Sequence, residues 1–391
     1  MNSVVNLSIA GKSRVGDIAF IDLKAQQQRI RPAIEKRLQN VLDHGRYIAG
    51  PEIDELEELL AERTGASTVI ACASGTAALI IPLLARGVGP GDAVFAPAFT
   101  YNATANAILL AGATPVFVDI DPNTFKIGPV DLERRVAAVR AEGKLQARAV
   151  IPVDLFGSPA DYRAISATAD REGLFLLSDG AQSFGGELDG REVGALAPAT
   201  ATSFFPGKAL GAYGDAGAIF SRNSLDKERW ASIRWHGTDE ARKESVRVGF
   251  NGRMDTFQAA VLLEKLAIFD DERKARRRIA AEYDARLAHV AKPQAHVDGA
   301  ESGFGYYSLR VANRDHMVKQ LKQNGIPTAI YYTTPLHLMP AFADFAPANG
   351  LPVTEKVASE IFSLPMHPYL TPDQVDFICE AVIEIAGEQA G

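Results

Sequence analysis

Apolar residues recur along the middle of this chain in two alternating rhythms. Short apolar runs at 69–72, 93–96, 115–118, 149–153, 174–178, 200–204 and 216–220 have strand length, and each is followed within two positions by Gly, Pro, Asp or Ser. Helical spacing fills most of the gaps, as in 130–140 and 160–171. Strand alternating with helix predicts an α/β fold: a mainly parallel sheet with helices on both faces, three layers in all. Upstream, 31–42 reads as a helix, and Ile53, Leu56, Leu59 and Leu60 mark another that Gly65 stops. Downstream, 256–290 reads as one long helix or two joined ones, and 300–391 mixes short strands and helices. The expected organisation is a loose tail at 1–17, a large domain at 18–255 and a smaller α+β domain at 256–391, with a soft boundary within 250–270.

Composition adds bounds. The chain has 391 residues, 47% hydrophobic and 23% charged, enough for two sizeable cores. A net charge of −7 argues against a nucleic-acid surface, which needs a basic footprint. The run Arg273-Lys274-Ala275-Arg276-Arg277-Arg278 follows Asp270, Asp271 and Glu272 and reads better as a solvated helix face. Cys72 and Cys379 are too few for a disulfide framework and sit among apolar residues. The seven histidines show no metal-ligand spacing. Residues 1–17 lack a signal-peptide pattern and no apolar run reaches membrane-spanning length, so a cytoplasmic protein is expected.

Two windows carry candidate chemistry. In Ser203-Phe204-Phe205-Pro206-Gly207-Lys208 a lysine lies among aromatic and small residues. A poorly hydrated ammonium loses its proton more readily, and a neutral amine forms Schiff bases with aldehydes. Alone, this window fits a snorkelling lysine equally well. Upstream, the run 174–178 leads straight into Asp179, so that carboxylate ends a strand, where open α/β sheets bind ligands. An isolated Asp there is more often a cap or turn former. Paired with Lys208, it suits pyridoxal phosphate (PLP), whose ring nitrogen takes an acidic partner.

Other residues fit the same cofactor. Ser74-Gly75-Thr76-Ala77 turns a strand into a helix, and a helix start with a close-approach glycine favours a phosphate. By itself it is also an ordinary N-cap. Ser203 lies five residues before Lys208 and is placed to reach the same phosphate. Tyr101 follows another strand end, as a ring-stacking face or a core aromatic, and Gln182 lies three residues past Asp179 to meet a ring hydroxyl. The loop from Gly249 through Asn251 and Arg253 to Ala260 suits anion recognition or a plain capped helix.

Together these motifs resemble the DegT/DnrJ/StrS sugar aminotransferases, PLP enzymes of fold type I. The resemblance runs from about Phe20 to the C-terminus. It rests on Phe20-Ile21-Asp22-Leu23-Lys24, Gly45-Arg46-Tyr47-Ile48-Ala49-Gly50-Pro51-Glu52, Ser74-Gly75-Thr76-Ala77-Ala78-Leu79, Asp179-Gly180-Ala181-Gln182-Ser183-Phe184-Gly185, the Lys208 window and Asn251-Gly252-Arg253-Met254-Asp255. It implies Lys208 as the Schiff-base lysine that then shuttles the proton and Asp179 on the pyridine nitrogen. Gln182 would meet the ring hydroxyl, Gly75, Thr76, Ala77 and Ser203 the phosphate, and Tyr101 the ring face. Asn251 would reach the phosphate from a neighbouring subunit, and Arg253 the substrate, in a homodimer with shared sites. L-glutamate would give its amino group and a nucleotide-linked keto sugar would take it.

The nearest subgroup aminates C3 of UDP-linked 3-keto sugars, including 2-acetamido-3-oxo-glucuronate, in surface-polysaccharide synthesis. Tyr331, Tyr332, His337 and Asp154 are expected near the sugar. Tyr331 stands where that subgroup has histidine, and Asp154 where Ser or His is usual. A carboxylate at Asp154 would disfavour an anionic sugar. Related members with histidine at the lysine position are sugar dehydratases, and Lys208 argues against that activity. A lyase or dehydratase, or a non-catalytic PLP-binding regulator, remains the alternative on the same scaffold.

Overall fold

All seven apolar runs form strands of one sheet in the computed structural model, which describes residues 15–388. They are Thr68–Cys72, Asp92–Pro97, Thr114–Val118, Gln146–Val150, Phe175–Asp179, Ala199–Ser203 and Gly217–Ser221. Across the sheet the order is Thr68–Cys72, Gly217–Ser221, Ala199–Ser203, Phe175–Asp179, Gln146–Val150, Asp92–Pro97, Thr114–Val118. Only Gly217–Ser221 runs antiparallel to its neighbours in this sheet. The reason is the connection before it. Residues 204–216 form no crossover helix, so the chain returns beside the strand it left. Lys208 rides on this return.

Alternate residues of a strand face opposite sides. Val94 and Ala96 therefore join a core with the helices Gly75–Ala85 and Asp226–Arg234, while Ala93 and Phe95 join another with Pro129–Glu142 and Tyr162–Glu172. This gives the three layers expected of the α/β reading.

The helix Thr256–Leu287 is unbroken, started by Asp255, whose carboxylate accepts from the Gln258 amide at 3.1 Å. It belongs to both domains. Ala259, Leu262 and Phe269 pack with Leu56 and Phe204 of the large domain, while Ile279, Tyr283 and Leu287 enter the core of the small one. The boundary placed at 256 thus falls at the start of a shared helix, which accounts for its softness in the sequence. The small domain has an antiparallel sheet of Lys292–Pro293, Tyr307–Arg310 and Ile361–Leu364, backed by the helices Arg314–Gln323 and Pro372–Glu388.

Of the tail read at 1–17, residues 1–14 lie outside the described residues. Val15 and Ile18 pack on the small-domain core, and Gln374 Nε2 donates to the Val15 carbonyl at 3.2 Å. Three of the run's five basic residues are ion-paired, Arg273 with Glu187 and Glu192, Arg276 with Glu272, and Arg277 with Glu187 and Glu301, while Lys274 and Arg278 are exposed. Both cysteines are buried and free. Among the described residues no helix is long and apolar enough to cross a membrane.

Ile219 sits fully buried on the antiparallel strand. Ile219→Ala should lower unfolding stability by about 2–5 kcal/mol, the usual cost of such a truncation. A shifted midpoint in chemical denaturation would show it, and an unchanged midpoint would place this strand outside the cooperative core.

Candidate active site

The carboxyl ends of the parallel strands meet along one edge, and a cleft of about 620 Å³ opens there. Each candidate group arrives from a different strand end. Asp179 ends Phe175–Asp179, Ser203 ends Ala199–Ser203, Ser74–Thr76 follow Thr68–Cys72, and Thr100 and Tyr101 follow Asp92–Pro97. All of these line the cleft, together with Gln182, Lys208, Tyr331 and Tyr332.

Asp179 is buried. It accepts from the Thr104 hydroxyl at 2.7 Å and the Ala181 amide at 3.2 Å. Burial pushes its carboxyl above the ordinary value, against the pull of Thr104, Ala181 and the Lys208 charge. Lys208 shows the converse. Loss of water around its ammonium lowers the pKa to about 8, opposed by Asp179. Its Nζ has no hydrogen-bond partner among the described residues and lies 6.0 Å from the Tyr306 ring centre. An amine in that state is available to a carbonyl.

At the other end of the cleft, Ser74 caps the helix Gly75–Ala85, and its hydroxyl accepts from the Ala77 amide at 3.1 Å. The Ala77 amide thus meets the cap hydroxyl, while Gly75 and Thr76 line the cleft with first-turn amides that the helix cannot satisfy. Gly75 has a steric reason as well. A Cβ there would lie 2.7 Å from the Ser203 Cβ, so only glycine lets the helix start approach the strand end.

Gln182 is held at both ends. Its Oε1 accepts from the Phe156 amide at 2.7 Å and its Nε2 donates to the Tyr332 hydroxyl at 3.0 Å. Tyr332 belongs to an aromatic wall, with Tyr331 5.7 Å and Tyr101 6.2 Å from it between ring centres. Tyr306 stands 4.8 Å from Tyr331. The small domain thus roofs the cleft with tyrosines.

Other expected residues lie elsewhere. The Asp154 carboxylate is fully buried, bonded to Tyr162, Ser178 and Ser183, and does not line the cleft. It lies in the loop after Gln146–Val150, where these hydrogen bonds hold its carboxylate among Tyr162, Ser178 and Ser183. His337 is also buried, its Nε2 3.1 Å from Glu355, and does not line the cleft either. Asn251 pairs with Trp235, and the Arg253 guanidinium sits 4.5 Å over the Trp235 ring, both outside this cleft.

Sequence reasoning missed Thr104, Tyr306 and Asp215, the last an exposed carboxylate lining the cleft. Thr104 had a signal, since it lies one helical turn past Thr100 in the window read for Tyr101. Tyr306 had none, because the small domain brings it in from a distant part of the chain.

A buried acid, a desolvated amine without a partner and a helix start tightened onto a serine fit the ring nitrogen, aldehyde and phosphate of PLP. The sheet order and this site define a PLP-dependent transferase of fold type I. A profile of the DegT/DnrJ/EryC1/StrS aminotransferase family matches residues 28–383, and the chain belongs to that family. The UDP-2-acetamido-2-deoxy-3-oxo-D-glucuronate aminotransferase of Pseudomonas aeruginosa is 46% identical over 367 residues, covering 93% of this chain and 99% of that protein. A solved DegT/DnrJ/EryC1/StrS aminotransferase from Brucella abortus superposes with a TM-score of 0.93 at 47% identity, covering 95% of this chain and 100% of that one. A sugar aminotransferase from Streptococcus pneumoniae, solved in its PLP form, has a TM-score of 0.83 at 26% identity over 91% of this chain and 96% of that one. The chain is a PLP-dependent aminotransferase.

Only the neutral amine attacks an aldehyde. Capture of PLP by the apo-protein should therefore quicken as pH rises through about 8 rather than through 10.5. Growth of the yellow absorbance band after mixing reads this directly. Asp179→Asn keeps the shape and removes the charge. It should cut turnover by roughly 10²–10³-fold, the scale for one preorganised electrostatic partner, and an unchanged rate would take Asp179 out of the mechanism.

Proposed function

We propose that this nucleotide-sugar aminotransferase moves the amino group of L-glutamate onto the keto carbon of a UDP-linked 3-keto sugar, releasing 2-oxoglutarate. The observation that carries this reading is the unpartnered Lys208 amine facing the same cleft as buried Asp179. The 46% identity to the Pseudomonas 3-oxo-glucuronate enzyme supports the sugar class. The setting would be amino-sugar synthesis for surface polysaccharides, in the cytoplasm.

Bound PLP supplies a reactive aldehyde and an electron-withdrawing ring. The chain's own residues do the rest. Asp179 balances the ring nitrogen's charge and keeps it protonated. Gln182, fixed by Phe156 and Tyr332, would offer its remaining Nε2 hydrogen to the ring hydroxyl. The first-turn amides of Gly75 and Thr76 and the Ser203 hydroxyl hold the phosphate, favoured by the helix dipole. Tyr101, on the cleft wall, would cover the ring face. Lys208 Nζ would take the proton from the donor's α-carbon in the first half-reaction and deliver one to the acceptor carbon that gains the amino group in the second. Donor and acceptor occupy the site in turn, which makes the kinetics ping-pong.

Asn251 and Arg253 fit this reading only when supplied by a second copy, so the active unit is a homodimer. The open side of the cleft agrees: Tyr101 and Phe205 line it at 58% and 56% exposure, large aromatic surfaces for a lone chain to leave wet. Asp154 lies outside the cleft, which removes the carboxylate expected to repel an anionic sugar. Tyr331, Tyr332 and the partner copy's Arg253 are then the residues that choose the sugar.

A glutamate-coupled assay across UDP-, dTDP- and GDP-linked 3-keto and 4-keto sugars tests the proposal. UDP-linked 3-keto sugars should be aminated fastest, with one 2-oxoglutarate formed per amino sugar. No loss of the yellow band on adding glutamate would overturn the donor assignment. Mixing inactive Lys208→Ala chains with inactive Arg253→Ala chains should restore part of the activity through hybrid dimers, and no recovery would count against shared sites.

A further inference from the structure

We infer that Asp154 is a positioning residue for the cofactor ring, tying down from behind the segment that carries Asp179 and Gln182. Its carboxylate is fully buried and takes four donors. One oxygen accepts from the Ala160 amide and the Tyr162 hydroxyl, each at 2.8 Å. The other accepts from Ser183 at 3.1 Å and Ser178 at 3.4 Å. The Tyr162 and Ser178 hydroxyls also touch each other, so the two protons they carry are shared among these three contacts.

The two serines make this more than a core hydrogen-bond cluster. Ser178 immediately precedes Asp179, and Ser183 immediately follows Gln182. Neighbouring strand residues face opposite sides, so Ser178 meets Asp154 while Asp179 meets the cleft. The Asp154 segment grips the same stretch through its backbone as well. The Asp154 amide donates to the Asp179 carbonyl at 3.0 Å, and the Phe156 amide donates to Gln182 Oε1 at 2.7 Å. Phe156 takes a φ of 66° to do so. That conformation is unfavourable for a residue with a Cβ and persists where surrounding contacts fix it.

A buried carboxylate needs a balancing charge. Lys126, in the loop before Pro129–Glu142, offsets the carboxylate through its charge without a direct ion pair, buried itself and donating to the Leu155 carbonyl at 2.6 Å. Burial lowers the Lys126 pKa and raises that of Asp154, each opposed by the other's charge. The two ring-reading side chains are thus held by Thr104 and Tyr332 on the cleft side and by Asp154 on the far side.

The inference takes from the aminotransferase assignment only the identity of the ring, and hydrogen exchange in the apo-protein reads the network without it. Asp154→Asn and Ser183→Ala are the variants. Ser183→Ala removes one tether, leaves the carboxylate its other three donors, and serves if Asp154→Asn fails to fold. Both should weaken PLP binding to the apo-protein by about tenfold, the scale of one hydrogen bond to a charged group. Binding of inorganic phosphate at the helix start should stay as in the parent. Exchange should quicken at the amides of residues 180–183 and stay slow in the other sheet strands. Parent-like PLP affinity in Ser183→Ala would overturn the inference. So would exchange that quickens evenly across the sheet, or phosphate binding that falls along with PLP binding, since each reduces Asp154 to a general stabilising role.

Discussion

The site depends on two opposite charges held in one poorly hydrated cleft. Desolvation acts on both groups in the same sense, favouring the neutral form of each: it raises the Asp179 carboxyl and lowers the Lys208 ammonium, and their mutual attraction only partly offsets it. Lys208 lacks a hydrogen-bond partner among the described residues, and Asp179, though held by Thr104 and Ala181, lacks a full counter-charge. A cationic ring nitrogen satisfies the acid and a carbonyl carbon takes the amine. Affinity for the cofactor and reactivity toward it have this common origin.

The architecture supplies that environment. Parallel strands end together, so their following loops and helix starts converge without long excursions. The lone antiparallel strand adds what a purely parallel sheet would not, a short return that sets Lys208 beside the ends of its neighbours. Glycine at position 75 then brings a helix start against Ser203. The small domain contributes little chemistry of its own and mainly covers the cleft with Tyr306, Tyr331 and Tyr332, excluding water from the amine. The helix Thr256–Leu287, packed into both cores, keeps that cover in register with the sheet.

Charge elsewhere in the molecule is largely spent on structure. The basic run on the long helix pairs with Glu187, Glu192, Glu272 and Glu301. Asp154 is matched by Lys126 and four hydrogen-bond donors instead of facing a sugar. Among the described residues that line the cleft, Asp215 is a carboxylate without an ion pair and Lys208 is the cation.

Local pattern was enough to locate the strands, the helix stops and the windows bearing Lys208, Asp179, Ser203 and Gly75. Those features are written in short-range periodicity and in residues whose chemistry does not depend on distant partners. The placing of the Asp154 and His337 side chains outside the cleft, and of the Ala77 amide on Ser74, was not legible, because each depends on which way a side chain or amide turns once the layers pack. Thr104, Tyr306 and Asp215 were decided the same way. The sequence by itself determined which groups arrive at the sheet edge. The tertiary structure decided which of them face the cleft, since the direction of a side chain is set by packing between elements far apart in the chain.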